Sequence, residues 1–76
     1  MNDIQRAVIQ RYGKALQFRL SYVPSDDRNW NRRILNEHRD AEAAVREYGL
    51  EGTREYNDAV LCAHQFAQVI LSRALH

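Results

Sequence analysis

From Thr53 to His76 the chain carries no Gly or Pro. On a helical wheel at about 100° per residue, its apolar side chains reach most of the way round. Tyr56, Ala59, Val60, Ala63, Phe66, Ala67, Ile70, Leu71, Ala74 and Leu75 share one broad face, widened on a flank by Cys62 and Val69. Only Asp58, Leu61, Gln65, Gln68 and Ser72 occupy the narrow strip opposite. A surface helix needs an apolar stripe of roughly 100°, whereas one that is apolar nearly all round is buried. A chain of 76 residues has little with which to cover such a helix. The sequence therefore predicts that a second copy of the chain covers it.

Composition leads to the same expectation by elimination. Residues 1–76 make one small domain, with a core near the lower limit for independent stability. Domains of this size gain support from disulfides, a metal or oligomerisation. Cys62 is the only cysteine and sits among apolar neighbours, so it reads as a small buried hydrophobe. A lone thiol also suits a reducing cytoplasm. His38, His64 and His76 have neither a Cys pair nor a His-x-x-x-His spacing beside them, so no zinc site and no other cofactor is expected. Self-assembly remains. The polar start Met1-Asn2-Asp3-Ile4-Gln5-Arg6 lacks the apolar region of a signal peptide, and no apolar run approaches the ~20 residues of a membrane span. The expected setting is cytoplasmic, away from any membrane.

Two breakpoints divide the chain. At Tyr22-Val23-Pro24-Ser25-Asp26-Asp27, Pro24 ends what precedes it, and Ser25, Asp26 and Asp27 offer an N-cap and first-turn negative charge. At Tyr48-Gly49-Leu50-Glu51-Gly52-Thr53, Gly49 suits a left-handed C′ position and Thr53 a new N-cap. So short a link predicts an antiparallel helical hairpin over about 27–48 and 54–75. In its first arm Trp30, Ile34, His38, Ala41, Val45 and Tyr48 recur every three or four residues and form one stripe to be buried. On the far side Arg28, Arg32, Arg39 and Arg46 line up, with Glu42–Arg46 and Arg33–Glu37 as compensating four-residue pairs. His38, on the apolar stripe, reads as a core or interface histidine with a hydrogen-bond partner.

The N-terminal segment admits two readings. Asn2 and Gln5 resemble a capping box, with Ile4, Val8, Tyr12 and Leu16 continuing at helical spacing. Yet residues 16–22 alternate strictly between apolar and polar, as a strand does. A lone strand has no partner within the chain, so a helix over about 3–21 is preferred. That choice places Arg19 inside the apolar face, where it needs an anionic partner. The resulting fold class is all-α: an N-terminal helix packed on a long antiparallel hairpin, assembled as a homo-oligomer.

Net charge is +1, and ten of the eleven basic residues are Arg, with Lys14 the exception. Arginine's planar fork suits phosphate and carboxylate and stacks on flat rings, although solvated helix faces or base composition give the same bias. Catalytic signals are missing. Gly13, Gly49 and Gly52 form no phosphate loop, and no nucleophile elbow or paired-carboxylate motif occurs. The chain reads as a non-enzyme.

In the last helix, Tyr56, Gln65, Ala67, Leu71, Ser72, Arg73 and Ala74 resemble the closing helix of small phage-encoded immune-evasion proteins. These are the anti-CBASS and anti-Thoeris sponges that share a helical-hairpin domain. Their pattern opens on an aromatic, carries a Gln and a small residue mid-helix, and closes on a Leu-Thr-Arg-Ala-like ending, here Leu71-Ser72-Arg73-Ala74. The resemblance covers the closing helix. It implies a homo-oligomer that sequesters cyclic oligonucleotide messengers between protomers, within the host cytoplasm, as an inhibitor of bacterial defence. Arg73 matches the motif, and Gln65 or Ser72 could hydrogen-bond base or phosphate. Trp30, Tyr56, Arg32 and Arg33 are candidates on chemistry alone, as rings and forks suited to bases and phosphates.

Two other functions fit the same residues. One is a protein-binding inhibitor, anti-CRISPR-like or an adaptor, that lays an apolar patch or the arginine ridge on a host defence protein. The other is a ribbon-helix-helix DNA-binding regulator with residues 16–22 as its intermolecular strand, presenting Gln17, Arg19 and Ser21. The near-neutral charge and the long helix after that strand rank DNA below the others.

Overall fold

The computed structural model describes residues 1–21 and 27–74, with only the backbone of residue 74. The Pro24 stop and the Ser25 and Asp26 capping candidates fall outside the described residues, as do Leu75 and His76. The described residues form three helices: α1 (Asp3–Leu20), α2 (Arg28–Glu47) and α3 (Arg54–Ala74). No strand occurs among the described residues. The chain is all-helical.

Each helix is bounded by side-chain chemistry present in the sequence. Asn2 and Gln5 form a reciprocal capping box, Asn2 Oδ1 accepting from the Gln5 amide at 2.8 Å and Gln5 Oε1 from the Asn2 amide at 3.0 Å. Asp27 caps α2 by accepting from the Asn29 and Trp30 amides. At its far end the Gly49 amide donates to the Arg46 carbonyl and the Leu50 amide to the Val45 carbonyl. Gly49 takes φ 66° to allow this Schellman ending, and Leu50 turns inward to 3% exposure. Thr53 Oγ1 then accepts from the Tyr56 amide and starts α3.

Direction follows from side-chain pairings. Arg11 meets Glu37, Tyr12 meets His38, and Phe18 shares a cleft with Trp30, so α1 and α2 run antiparallel. Tyr12 stacks on Tyr56 and Gly13 lies against Ala59, so α3 runs alongside α1 in the same direction. Close packing joins α1 to α2 and α1 to α3, while the backbones of α2 and α3 do not approach each other. This differs from the expected layering of α1 on a closed α2–α3 pair. α1 is the middle element because small residues, Gly13 on one side and Ala59, Ala63 and Ala67 on the other, let it approach α3.

The core is correspondingly thin. Ile9, Tyr12, Ala15 and Leu16 of α1 meet Ala41 and Val45 of α2, Leu50 of the link and Ala63 of α3. The offset that sets Gly13 beside Ala59 brings Leu20, the last residue of α1, level with Phe66. From that level on α3 is only partly covered: Ala67 is buried, but Phe66, Val69, Ile70 and Leu71 are all exposed. Several sequence expectations are corrected by this geometry. Cys62 is exposed rather than buried, because it borders an open groove between α1 and α3 instead of entering the core. Trp30 and Tyr48, at the two ends of the α2 stripe, are exposed because α1 covers only the middle of that stripe. Arg19 points to solvent, one residue past the contact line of Leu16 and Leu20. Arg33 does not pair with Glu37, whose carboxylate is taken by Arg11 on the neighbouring helix. His38 makes no hydrogen bond among the described residues and instead rests its ring against Tyr12, centroids 5.8 Å apart. The strand alternative for residues 16–22 is overturned over its described part: these residues continue α1, burying Leu16 and half-burying Leu20 one turn on.

Candidate functional site

A cleft of about 370 Å³ lies between the second half of α1 and the face of α2 beside it. Ligand pockets start at about 300 Å³. Ala15 and Phe18, three residues apart, supply the α1 wall. Trp30, Arg33, Ile34, Glu37 and Asp40 recur at helical spacing to form the α2 wall, with Asn36 at its margin. Antiparallel pairing puts Phe18 and Trp30 at the same end. Both rings are about half exposed, at 49% and 46%.

The charges in the cleft are ordered. Arg11 and Glu37 clasp α1 to α2 through two contacts, Nε to Oε1 at 2.6 Å and Nη2 to Oε2 at 3.2 Å. Hydrogen bonding to Arg11 holds the Glu37 carboxyl below its usual range, and the same bond raises the Arg11 guanidinium. Asp40 lies within the electrostatic reach of Arg11. Arg33 makes no ion pair or hydrogen bond among the described residues, so its fork is open to an anion. Two exposed rings, an open guanidinium and the Asn36 amide can hold a planar ring that carries a negative group. Among the described residues no Ser, Cys or His lines the cleft.

The residues predicted for the site separate into four places. Trp30 and Arg33 meet in the cleft. Gln65, Ser72 and Arg73 converge with Gln68 and Val69 on a shallow groove along α3, walled among the described residues by that helix alone. Tyr56 joins neither group, because its ring is half buried and stacked on Tyr12 with centroids 5.3 Å apart. Burial pushes the Tyr12 phenol up, and the adjacent Tyr56 phenol adds to the shift. Arg32 is exposed on α2 and outside the cleft.

Phe18 and Asn36 belong to the cleft but were not among the sequence candidates. The available signal was the exposure of Phe18: in a helix it lies off the line of Tyr12, Leu16 and Leu20. No group of His, Cys, Asp and Glu suited to a metal ion occurs among the described residues. No helix of the described residues is long and apolar enough to cross a membrane. Comparison with protein families, with curated proteins and with solved structures found no match to this chain.

Proposed function

We propose that this chain is a non-enzymatic, self-assembling protein that binds and sequesters a planar, anionic, nucleotide-like ligand, and that the α1–α2 cleft is where the ligand sits. The observation that carries the reading is the meeting of Trp30 and Phe18, from two helices, beside Arg33, which has no ion pair among the described residues. Leaving two large rings half in water forgoes burial worth roughly 1.5–3 kcal/mol for a side chain of this kind. A flat ligand between them recovers part of that, and the arginine fork takes its phosphate or carboxylate. The resemblance of the closing helix to cyclic-oligonucleotide sponges supports the ligand class and a role against bacterial defence.

Trp30 is the only tryptophan of the chain. Its fluorescence reports directly on the cleft. Titration with mononucleotides, cyclic di- and trinucleotides and an aromatic carboxylate should quench it with at least one of these. Arg33→Ala should weaken that binding about tenfold, the scale of one lost charge-assisted contact, while Arg73→Ala should leave it intact. Dependence on Arg73 instead of Arg33 moves the site to the α3 groove, and no quenching by any member rejects the ligand class.

A protein partner is the second reading. Arg28, Arg32 and Arg39 project from the exposed side of α2, which favours an acidic protein surface over a small molecule. Pull-down of a host protein that is lost on Arg32→Glu and Arg39→Glu, without any effect of Arg33→Ala, is the result that selects it.

A further inference from the structure

We propose that two copies of this chain pair antiparallel through α3, along the seam Asp58, Cys62, Phe66, Val69 and Arg73, to form a twofold-symmetric dimer. The inference rests on the reading that the chain self-assembles, and it specifies the face, the direction and the register.

These five positions follow one another at spacings of four, four, three and four, the pattern that holds side chains on a single helical stripe. On a wheel they fall within about 80° of one another, on a flank of α3 that begins about 60° from the buried Ala63, with Cys62 bordering the open groove beside α1. All five are exposed. Phe66 and Val69 are each 49% accessible, large for apolar side chains on a helix whose other side is core. Asp58 approaches Arg54 only to 3.9 Å, with its side chain 70% exposed, and so remains available.

The order of charges along the stripe decides both partner and direction. An acid stands at one end, a base at the other, and apolar groups lie between. Two such stripes laid parallel would set Asp58 against the partner's Asp58 and Arg73 against the partner's Arg73, like against like. Laid antiparallel about an axis beside Phe66, each Asp58 meets the partner's Arg73. Cys62 then lies opposite the partner's Val69, and the two Phe66 rings meet at the axis, where edge or offset stacking is favourable. The surface is complementary to itself, which is the requirement for an isologous contact that closes at two subunits. Arg73, apart from the cleft, thereby has a partner.

Sedimentation or light scattering of the full chain over a dilution series is the first measurement, with twice the 8.9 kDa chain mass expected. Asp58→Arg alone and Arg73→Asp alone should each weaken association about tenfold or more, as like charges come to face one another. The double variant should restore it. Both sites are exposed, and circular dichroism checks that each variant folds as the parent does. A Val69→Cys variant should form a disulfide with the partner's Cys62 on mild oxidation, giving a dimer that survives detergent and reverts with dithiothreitol.

A monomeric parent at all concentrations overturns both self-assembly and this seam. A dimeric parent in which the charge reversal fails to restore association overturns the seam alone. Ready crosslinking of the unaltered chain through Cys62 signals the parallel arrangement and likewise rejects the antiparallel one.

Discussion

Gly13 shows how much a single position carries here. It sits mid-helix in α1 because α3 passes close by, yet a Cβ at that position would meet the Ala59 Cβ at 3.5 Å, ordinary van der Waals contact. Gly13→Ala should therefore keep the packing and recover the helix propensity that glycine forgoes, about 0.5–1 kcal/mol, seen as a rise in Tm. The Arg11–Glu37 clasp gives a second residue-level prediction. Glu37 is held below its ordinary value, so its contribution is present above the unfolded carboxyl pKa of about 4.3 and fades as pH falls through the lowered folded value. Both side chains are about half exposed, which limits the effect to under about 1 kcal/mol. Melting curves of the parent and Glu37→Gln should differ near neutrality and converge in acid. A difference that persists in acid would show that Glu37 acts through packing instead.

At the scale of the element, the helix ends were the most legible part of the chain. Asn2, Asp27, Gly49 and Thr53 each sit where their chemistry calls for them, because caps are local and need no knowledge of the rest of the fold. Asp27→Ala should cost about 0.5–2 kcal/mol. Gly49→Ala, forced to φ 66°, should cost roughly 1–2 kcal/mol; denaturant midpoints measure both. What the sequence concealed was which neighbour each helix would meet. The stripe Trp30 to Tyr48 was readable as one face, but not that α1 would cover only its middle. The cleft was half legible for the same reason: Trp30 and Arg33 stand out by chemistry, whereas Phe18 joins them only through antiparallel pairing. Strand-like alternation gave way to helix over residues 16–20, since Leu16 and Leu20 are also one turn apart and no strand occurs among the described residues to pair with them.

For the molecule as a whole, few large side chains are buried. Val45 and Leu50 are the most fully excluded from water of the larger apolar side chains among the described residues. Leu50→Ala should then cost about 2–5 kcal/mol, a large share of the few kcal/mol that a domain of this length commands. It should unfold a measurable fraction at room temperature by circular dichroism. If the chain associates through α3, Tm should climb with protein concentration by mass action, and the Leu50→Ala variant should be rescued at high concentration. A Tm independent of concentration would mean that the monomer is self-sufficient despite its thin core.

Tyr12 stands between His38 of α2 and Tyr56 of α3, and those two helices have no close backbone contact of their own. The cleft and the α3 surface are therefore like two rooms with one party wall. Whatever news passes between them, a ligand felt by the assembly or the assembly felt by a ligand, has α1 and the link that buries Leu50 as its routes. By thermodynamic reciprocity it travels equally both ways. Tyr12→Leu, which takes the middle ring from the stack, is where that conversation would fall silent first.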